Sequence, residues 1–287
     1  MDFLNQLASG KTLIFDGAMG SLLASLGAGM QSGHHNLNHP DLVEKAHRYY
    51  IDAGADCIIT NSFSLNRIYS QLTDDQLDTA LHASMEIALK AADDKIFVFG
   101  DIGPTGQMLA PYGKGNQQEF YEAYCRQIET MKQYPLSGLI VETIFHLPEA
   151  EIILQACQDI APELPRLLSM TFYSNLRGGL TMMGNKATDI AALAKKAGCA
   201  AVGGNCGDLN PEDYPPIIAT LQQAGLPILL QPNAGKPQII DEQTVYPLNP
   251  EQFSAQMAIC QQAGVQMLGG CCGTTPEHIR QLVKLKQ

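Results

Sequence analysis

Residues 53–60 read Ala-Gly-Ala-Asp-Cys-Ile-Ile-Thr, a glycine set just ahead of a short apolar run. Glycine enters the left-handed conformation that ends a helix without steric penalty, so the phrase reads as helix stop, tight turn and buried strand. It returns as Ala197-Gly198 before AAVGG, Ala224-Gly225 before PILLQ and Ala263-Gly264 before QMLGG. Outward from these anchors, the remaining apolar runs are TLIFD (12–16), FVFGD (97–101), GLIVET (138–143) and LLSMTF (167–172), which makes eight candidate strands. Their near-continuous apolarity suits parallel strands covered on both faces.

Helical patterns fill the intervals. Thr73 heads a capping box with Gln76, and Leu77, Leu81, Met85 and Ala88 then recur at helical spacing. Asn249-Pro250 and Thr275-Pro276 each place a cap residue before a proline at the first helical position. Eight strands alternating with helices predict an α/β fold of the (β/α)8 TIM barrel type, with an open doubly wound sheet as the structural alternative. No Ser-rich or low-complexity linker divides the chain, so one domain spanning 1–287 is expected.

The connections are lopsided. Long loops rich in Gly and Pro follow strands (17–41, 102–116, 174–185 and 233–250), whereas helices lead to turns of a few residues. Barrel enzymes build their sites from loops at the C-terminal ends of strands, and the chemistry is expected there.

Composition narrows the classes of function. A net charge of −11 over 287 residues repels polyanions, which argues against nucleic acid or an anionic membrane as partner. The start MDFLNQLASGK lacks the basic and apolar regions of a signal peptide, and no run is long enough to span a bilayer, so a cytoplasmic location is expected. Eight cysteines in a chain of this size and expected location then read as reduced thiols.

Three of those thiols stand apart. Cys271 and Cys272 follow the eighth strand between glycines, and Cys206 follows the sixth. Consecutive residues of a regular strand point to opposite faces, but at a strand end flanked by Gly269, Gly270 and Gly273 the backbone can curl. Strands six and eight are alternate barrel strands, so their ends can converge over the mouth. Three sulfur ligands favour Zn2+ and leave a fourth position open, the mark of a catalytic site. A strained vicinal disulfide and two small buried residues are the competing readings. The other five cysteines fall on helical patterns or helix-to-strand junctions and read as core. His34, His35 and His39 lie in the first long loop, where a second metal, a substrate contact and a solvated surface are all open; His278, in the first turn of the last helix, reads as structural.

Asp16 and Glu142 close apolar strands, where a carboxylate needs a cation, an amine or backbone N–H groups as partner. Gly17, Ala18, Met19 and Gly20 form a small-residue turn whose N–H groups suit a carboxylate. An amine site beside a carboxylate site would hold an amino acid. Asn205 precedes Cys206, and Asn233 follows strand seven between the two cysteine-bearing strands, where its amide oxygen is placed to fill the open zinc position before substrate arrives.

In order along the chain, FDGAMGS (15–21), AGADCIITNSF (53–63), DIGPTG (101–106), VETIF (141–145), GGNCGD (203–208), QPNAG (231–235) and GGCCGTTPEHI (269–279) resemble the homocysteine S-methyltransferase family, including the homocysteine-binding domain of cobalamin-dependent methionine synthase. The resemblance implies Cys206, Cys271 and Cys272 as zinc ligands, homocysteine thiol as the fourth, the substrate carboxylate at Gly17, Ala18 and Met19, and its amine near Glu142; Asp16 and Asn205, by their strand-end positions, are expected in the same substrate-binding set. It implies methyl transfer to the homocysteine thiol to form methionine, with no general base once the metal has replaced the thiol proton. The implied donor is methylcobalamin on a partner corrinoid protein or on cobalamin and folate modules outside this chain. The alternatives are S-methylmethionine as a small donor, and a non-catalytic zinc barrel that docks a corrinoid protein. Two departures from the methionine synthase pattern, His146 after VETIF and GHHN at 33–36, are expected to bear on the donor.

Overall fold

The computed structural model describes residues 2–29, 32–94 and 96–286. Its centre is a ring of eight parallel strands: β1 (Leu13–Ile14), β2 (Cys57–Ile59), β3 (Phe97–Ile102), β4 (Gly138–Ile144), β5 (Arg166–Met170), β6 (Ala201–Cys206), β7 (Ile228–Pro232) and β8 (Met267–Leu268). Each pairs with its sequence neighbours, and β8 pairs with β1 through Leu13↔Met267 and Ile14↔Leu268. The ring closes between β1 and β2 by a bridge from Phe15 to Cys57, flanked by Asp56 N–H to Ile14 O (2.7 Å) and Asp16 N–H to Cys57 O (3.0 Å). The (β/α)8 barrel is therefore present, and the open-sheet alternative falls.

The helices α1 (Pro40–Asp52), α2 (Asp74–Ala92), α3 (Gln117–Met131), α4 (Leu147–Ile160), α5 (Ala187–Lys196), α6 (Pro215–Leu221), α7 (Pro250–Gln262) and α8 (Pro276–Val283) alternate with the strands. The four glycine stops behave as their position demands: Gly54, Gly198, Gly225 and Gly264 all have positive φ, from 64° to 106°. Thr73 and Gln76 form the expected reciprocal cap at the start of α2.

Strand side chains divide by alternation. Cys57, Ile59, Phe97, Phe99, Ile140, Leu167, Leu229 and Met267 fill the barrel interior, while Ile58, Val98, Leu139, Leu168, Leu230 and Leu268 pack under the helices. Both faces are thus apolar, the reason the strands read as continuous runs. The start of the chain forms a short helix, Phe3–Ala8, whose Phe3 and Leu7 join this interior layer. Phe3 meets Phe99 edge to face at 4.8 Å and Phe97 at 5.6 Å.

Three of the long loops carry more structure than their composition suggested. The first holds a helix Met19–Ser25 and a short helix His35–Asn38; its Met30 and Gln31 lie outside the described residues. Hairpins form at Phe172–Ser174 with Leu180–Thr181 and at Gln238–Ile240 with Gln243–Val245. The second hairpin turns through Asp241 and Glu242, both at positive φ, the geometry that matches strand twist.

Candidate functional site

At the C-terminal ends of the strands a cavity of ≈ 800 Å³ opens, and Asp16, Asp101, Glu142, Cys206, Cys271 and Cys272 are in its wall. The thiol sulfurs of Cys206, Cys271 and Cys272 all lie within 4.8 Å of one another, the only such metal-ready group among the described residues. Cys271 Sγ and Cys272 Sγ are 4.0 Å apart. Sulfurs on a tetrahedral zinc, with bonds of about 2.3 Å, stand about 3.8 Å apart, so the donor set fits the ion in chemistry and in spacing. All eight cysteines are free thiols, which removes the vicinal disulfide reading.

Each thiol is aimed by a local break in strand geometry. Cys206 ends β6 at φ +55° and is followed by Gly207 at φ +81°. β8 stops at Leu268, and the chain then curls under three bonds: Gly270 N–H to Asp16 O (3.1 Å), Cys271 N–H to Pro232 O (2.8 Å) and Thr274 N–H to Cys271 O (3.1 Å). The thiols interact with one another: hydrogen bonding first from Cys206 and then from Cys271 pulls Cys272 down to about 3, and hydrogen bonding with Cys206 holds Cys271 well above the usual thiol range. Three thiols this close together make a soft donor set suited to a soft cation.

The carboxylates sit beside it. Asp16 is 2% exposed and accepts Ile59 N–H at 2.9 Å, so of the partners open to it the structure supplies a backbone donor across the barrel seam. Burial pushes its carboxyl well above the ordinary range, with the Ile59 bond opposing. Burial likewise raises Glu142 to about 7, opposed by a hydrogen bond with Asp101. Asp101, also in the wall, is raised by burial and then by the charge of Glu142, and its Oδ1 is buried without a partner. Sequence reasoning passed over Asp101, although it closes FVFGD just as Asp16 closes TLIFD; the same signal would have found it. Gln231, at the end of β7, is a second wall residue with an unpartnered buried oxygen, and it too was missed.

The remaining expected residues divide between the cavity wall and the layers behind it. Gly17, Ala18 and Met19 line the cavity, but the Ala18 N–H is taken by Thr274 Oγ1 at 3.2 Å, which leaves the first turn of helix Met19–Ser25 to supply donors. Asn205, expected to touch substrate, is fully buried outside the cavity lining and bonded to Glu142, Thr143 and Ser169. Asn233 is also off the lining; its Nδ2 donates to Gly207 O at 2.8 Å and its Oδ1 is buried without a partner. His34 reaches the wall and bonds Ser70 O at 2.8 Å, whereas His35 is buried against Gly29 O. His146 caps α4 edge-on to Tyr112, away from the cavity wall. His278 closes a cap with Thr275 and bonds Leu248 O, the structural role expected of it.

Known proteins share this fold and align with most of this sequence. The homocysteine methyltransferase MmuM of Escherichia coli, in its metallated form, superposes with a TM-score of 0.82 at 23% identity over 98% of both chains, a likeness of fold. Methionine synthases of Mycobacterium leprae and Mycobacterium tuberculosis are each 28% identical over 302 residues, covering 98% of this chain; the chain spans about a quarter of their length, 25%. The sequence profile of the homocysteine S-methyltransferases matches residues 13–285, from β1 to beyond α8, and the chain belongs to that family.

Proposed function

We propose that the barrel transfers a methyl group to the thiol of homocysteine, giving methionine, with Cys206, Cys271 and Cys272 as the ligands of a Zn2+ ion. The observation that carries this reading is the convergence of three thiols, within 4.8 Å, on the wall of a cavity that also presents three carboxyl groups. Bound zinc supplies the Lewis acidity that keeps a substrate thiol, with an ordinary pKa of about 8.5, ionised at neutral pH.

The chain's own residues do the rest. Glu142, with Asp101 behind it, takes the substrate ammonium; a carboxyl raised to about 7 gains its charge most readily when a cation arrives beside it. The free N–H groups at the start of helix Met19–Ser25 receive the substrate carboxylate, and Gly17, packed against Tyr50 and Thr274, keeps that approach open. Asn233 Oδ1, buried without a partner behind the cavity wall, would be a further oxygen donor for the ion were its side chain to turn toward the thiols. Asp16 fixes the seam between β1 and β2.

For the donor, a corrinoid protein is favoured by the loops around the mouth, where Tyr69, Tyr112, Tyr173, Leu176, Met182 and Ile239 are all exposed. An apolar rim of that kind suits a macromolecular partner. A small sulfonium such as S-methylmethionine is the second reading, favoured by a wall with carboxyl and thiol groups and no Lys or Arg among the described residues. Purified protein, loaded with zinc, is to be assayed for methionine formation from homocysteine with S-methylmethionine alone and with a methyl-corrinoid protein. Turnover with either assigns the donor; zinc binding without turnover in both leaves the docking barrel as the function.

A further inference from the structure

Resting on that reading of the cavity, we infer that Asn205 is the positioning residue that turns Glu142 into the site, and that it thereby sets the demand for an α-amino group on the thiol substrate. The device starts as a fault in strand pairing. β4 pairs with β5 through Val141↔Leu168 and then Ile144↔Met170, so Glu142 and Thr143 together oppose Ser169 alone. This is a β-bulge, which re-aims side chains at the end of a strand. In a regular strand Glu142 and Thr143 would face opposite sides; here both line the cavity.

The bulge is made by Thr143 at φ +58°, a left-handed conformation that a β-branched residue resists. Asn205 offsets that resistance from the end of β6, reaching across β5. Its Oδ1 accepts Thr143 N–H (2.9 Å) and Ser169 Oγ–H (2.9 Å), while its Nδ2 donates to Glu142 Oε2 (2.7 Å) and Thr143 Oγ1 (2.7 Å). Every hydrogen-bonding position of the amide is spent on the bulge, and the side chain is fully buried. The same Nδ2 lies 4.0 Å from Cys271 Sγ. One amide therefore sets the offset between the sulfur end and the amine end of the site.

Without Asn205, Thr143 relaxes toward extended backbone and Glu142 loses its aim, while the thiols remain. The test compares homocysteine with 4-sulfanylbutanoate, which has the same thiol, chain length and carboxylate but no amine. Asn205→Ala, holding zinc as the parent does, is expected to lower kcat/KM for homocysteine roughly 10- to 100-fold, mainly through KM, the size expected when a charged hydrogen bond is lost. Turnover of 4-sulfanylbutanoate is expected to change by less than about threefold. Adding Thr143→Gly to Asn205→Ala is expected to recover most of the loss, because glycine holds positive φ without strain. An equal fall for both thiols, or no rescue by Thr143→Gly, overturns the inference. Should Asn205→Ala not fold, Ser169→Ala removes one of the four bonds and is read by the same criterion: homocysteine-selective loss supports the device, equal loss overturns it. A parent protein that binds zinc and turns over neither thiol overturns the proposed function, a result distinct from any of these.

Discussion

Cys271 Sγ and Cys272 Sγ lie 4.0 Å apart on consecutive residues, a separation that two neighbours in a regular strand do not reach. The strand has ended three residues earlier, and the glycine-flanked curl that follows is pinned to the ends of β1 and β7. The pair is thus a product of the loop's backbone, and its partner Cys206 arrives by the same means from β6.

Removing one sulfur should therefore abolish tight metal binding without unfolding the barrel. Cys206→Ala and Cys272→Ala are each expected to retain less than roughly a tenth of the parent's zinc after dialysis against a chelator. Their metal-free melting temperatures should fall within about 2 °C of the metal-free parent, since the thiols are half-buried at the wall and outside the core. Metal analysis and calorimetry check both halves.

Thr274 ties the cysteine loop to the Gly17–Met19 turn. It is 1% exposed; its Oγ1 accepts Ala18 N–H at 3.2 Å and donates to Cys271 O at 2.7 Å. Thr274→Val keeps the shape and strands both backbone partners, which should destabilise the fold by about 1–3 kcal/mol in urea unfolding. The KM for homocysteine should rise at the same time, because the Gly17–Met19 turn and the thiols lose their common anchor.

Most of the barrel was legible because its signals are local. A glycine after a helix, a proline after a cap residue and an apolar run each state one element, and their order states the topology. The thiol site was legible for the same reason, since cysteines beside glycines at two strand ends announce a departure from strand geometry. Thr143 was not: a β-branched residue in GLIVET argues for regular strand, and only tertiary bonds from Asn205 force it to φ +58°. Asn205 and Asn233 were placed at the right strand ends, yet chain order says nothing of depth, and both stand behind the cavity wall.

His47 on α1 is fully buried with both ring nitrogens unpartnered, and burial lowers its pKa from 6.5 to about 4. The unfolded chain then binds a proton more readily than the folded one between those values. Stability is accordingly unaffected above pH 6.5 and is lost as pH falls from 6.5 toward 4. This one group should remove about 2 kcal/mol between pH 7 and pH 5. His47→Leu should flatten the pH dependence of unfolding by that amount, and an unchanged slope would show that the ring is charged in the folded protein.

Gly273 separates the thiol loop from Tyr246. Its φ is +79°, and a Cβ there would run into the Tyr246 ring. Tyr246 also interacts with the Cys272 sulfur, so the ring lies between the exposed hairpin Gln238–Val245 and the thiol cluster. Gly273→Ala adds backbone strain and steric overlap at one point, and relief comes most readily by shifting the short Cys271-Cys272 curl, since Tyr246 leads into the cap of α7. The expected outcome is a zinc affinity at least roughly tenfold lower, with global stability reduced by about 1–3 kcal/mol. Competition with a chromogenic chelator measures the first and urea unfolding the second. Unchanged zinc affinity in a destabilised variant would mean that the hairpin, and not the cysteine curl, is the part that yields.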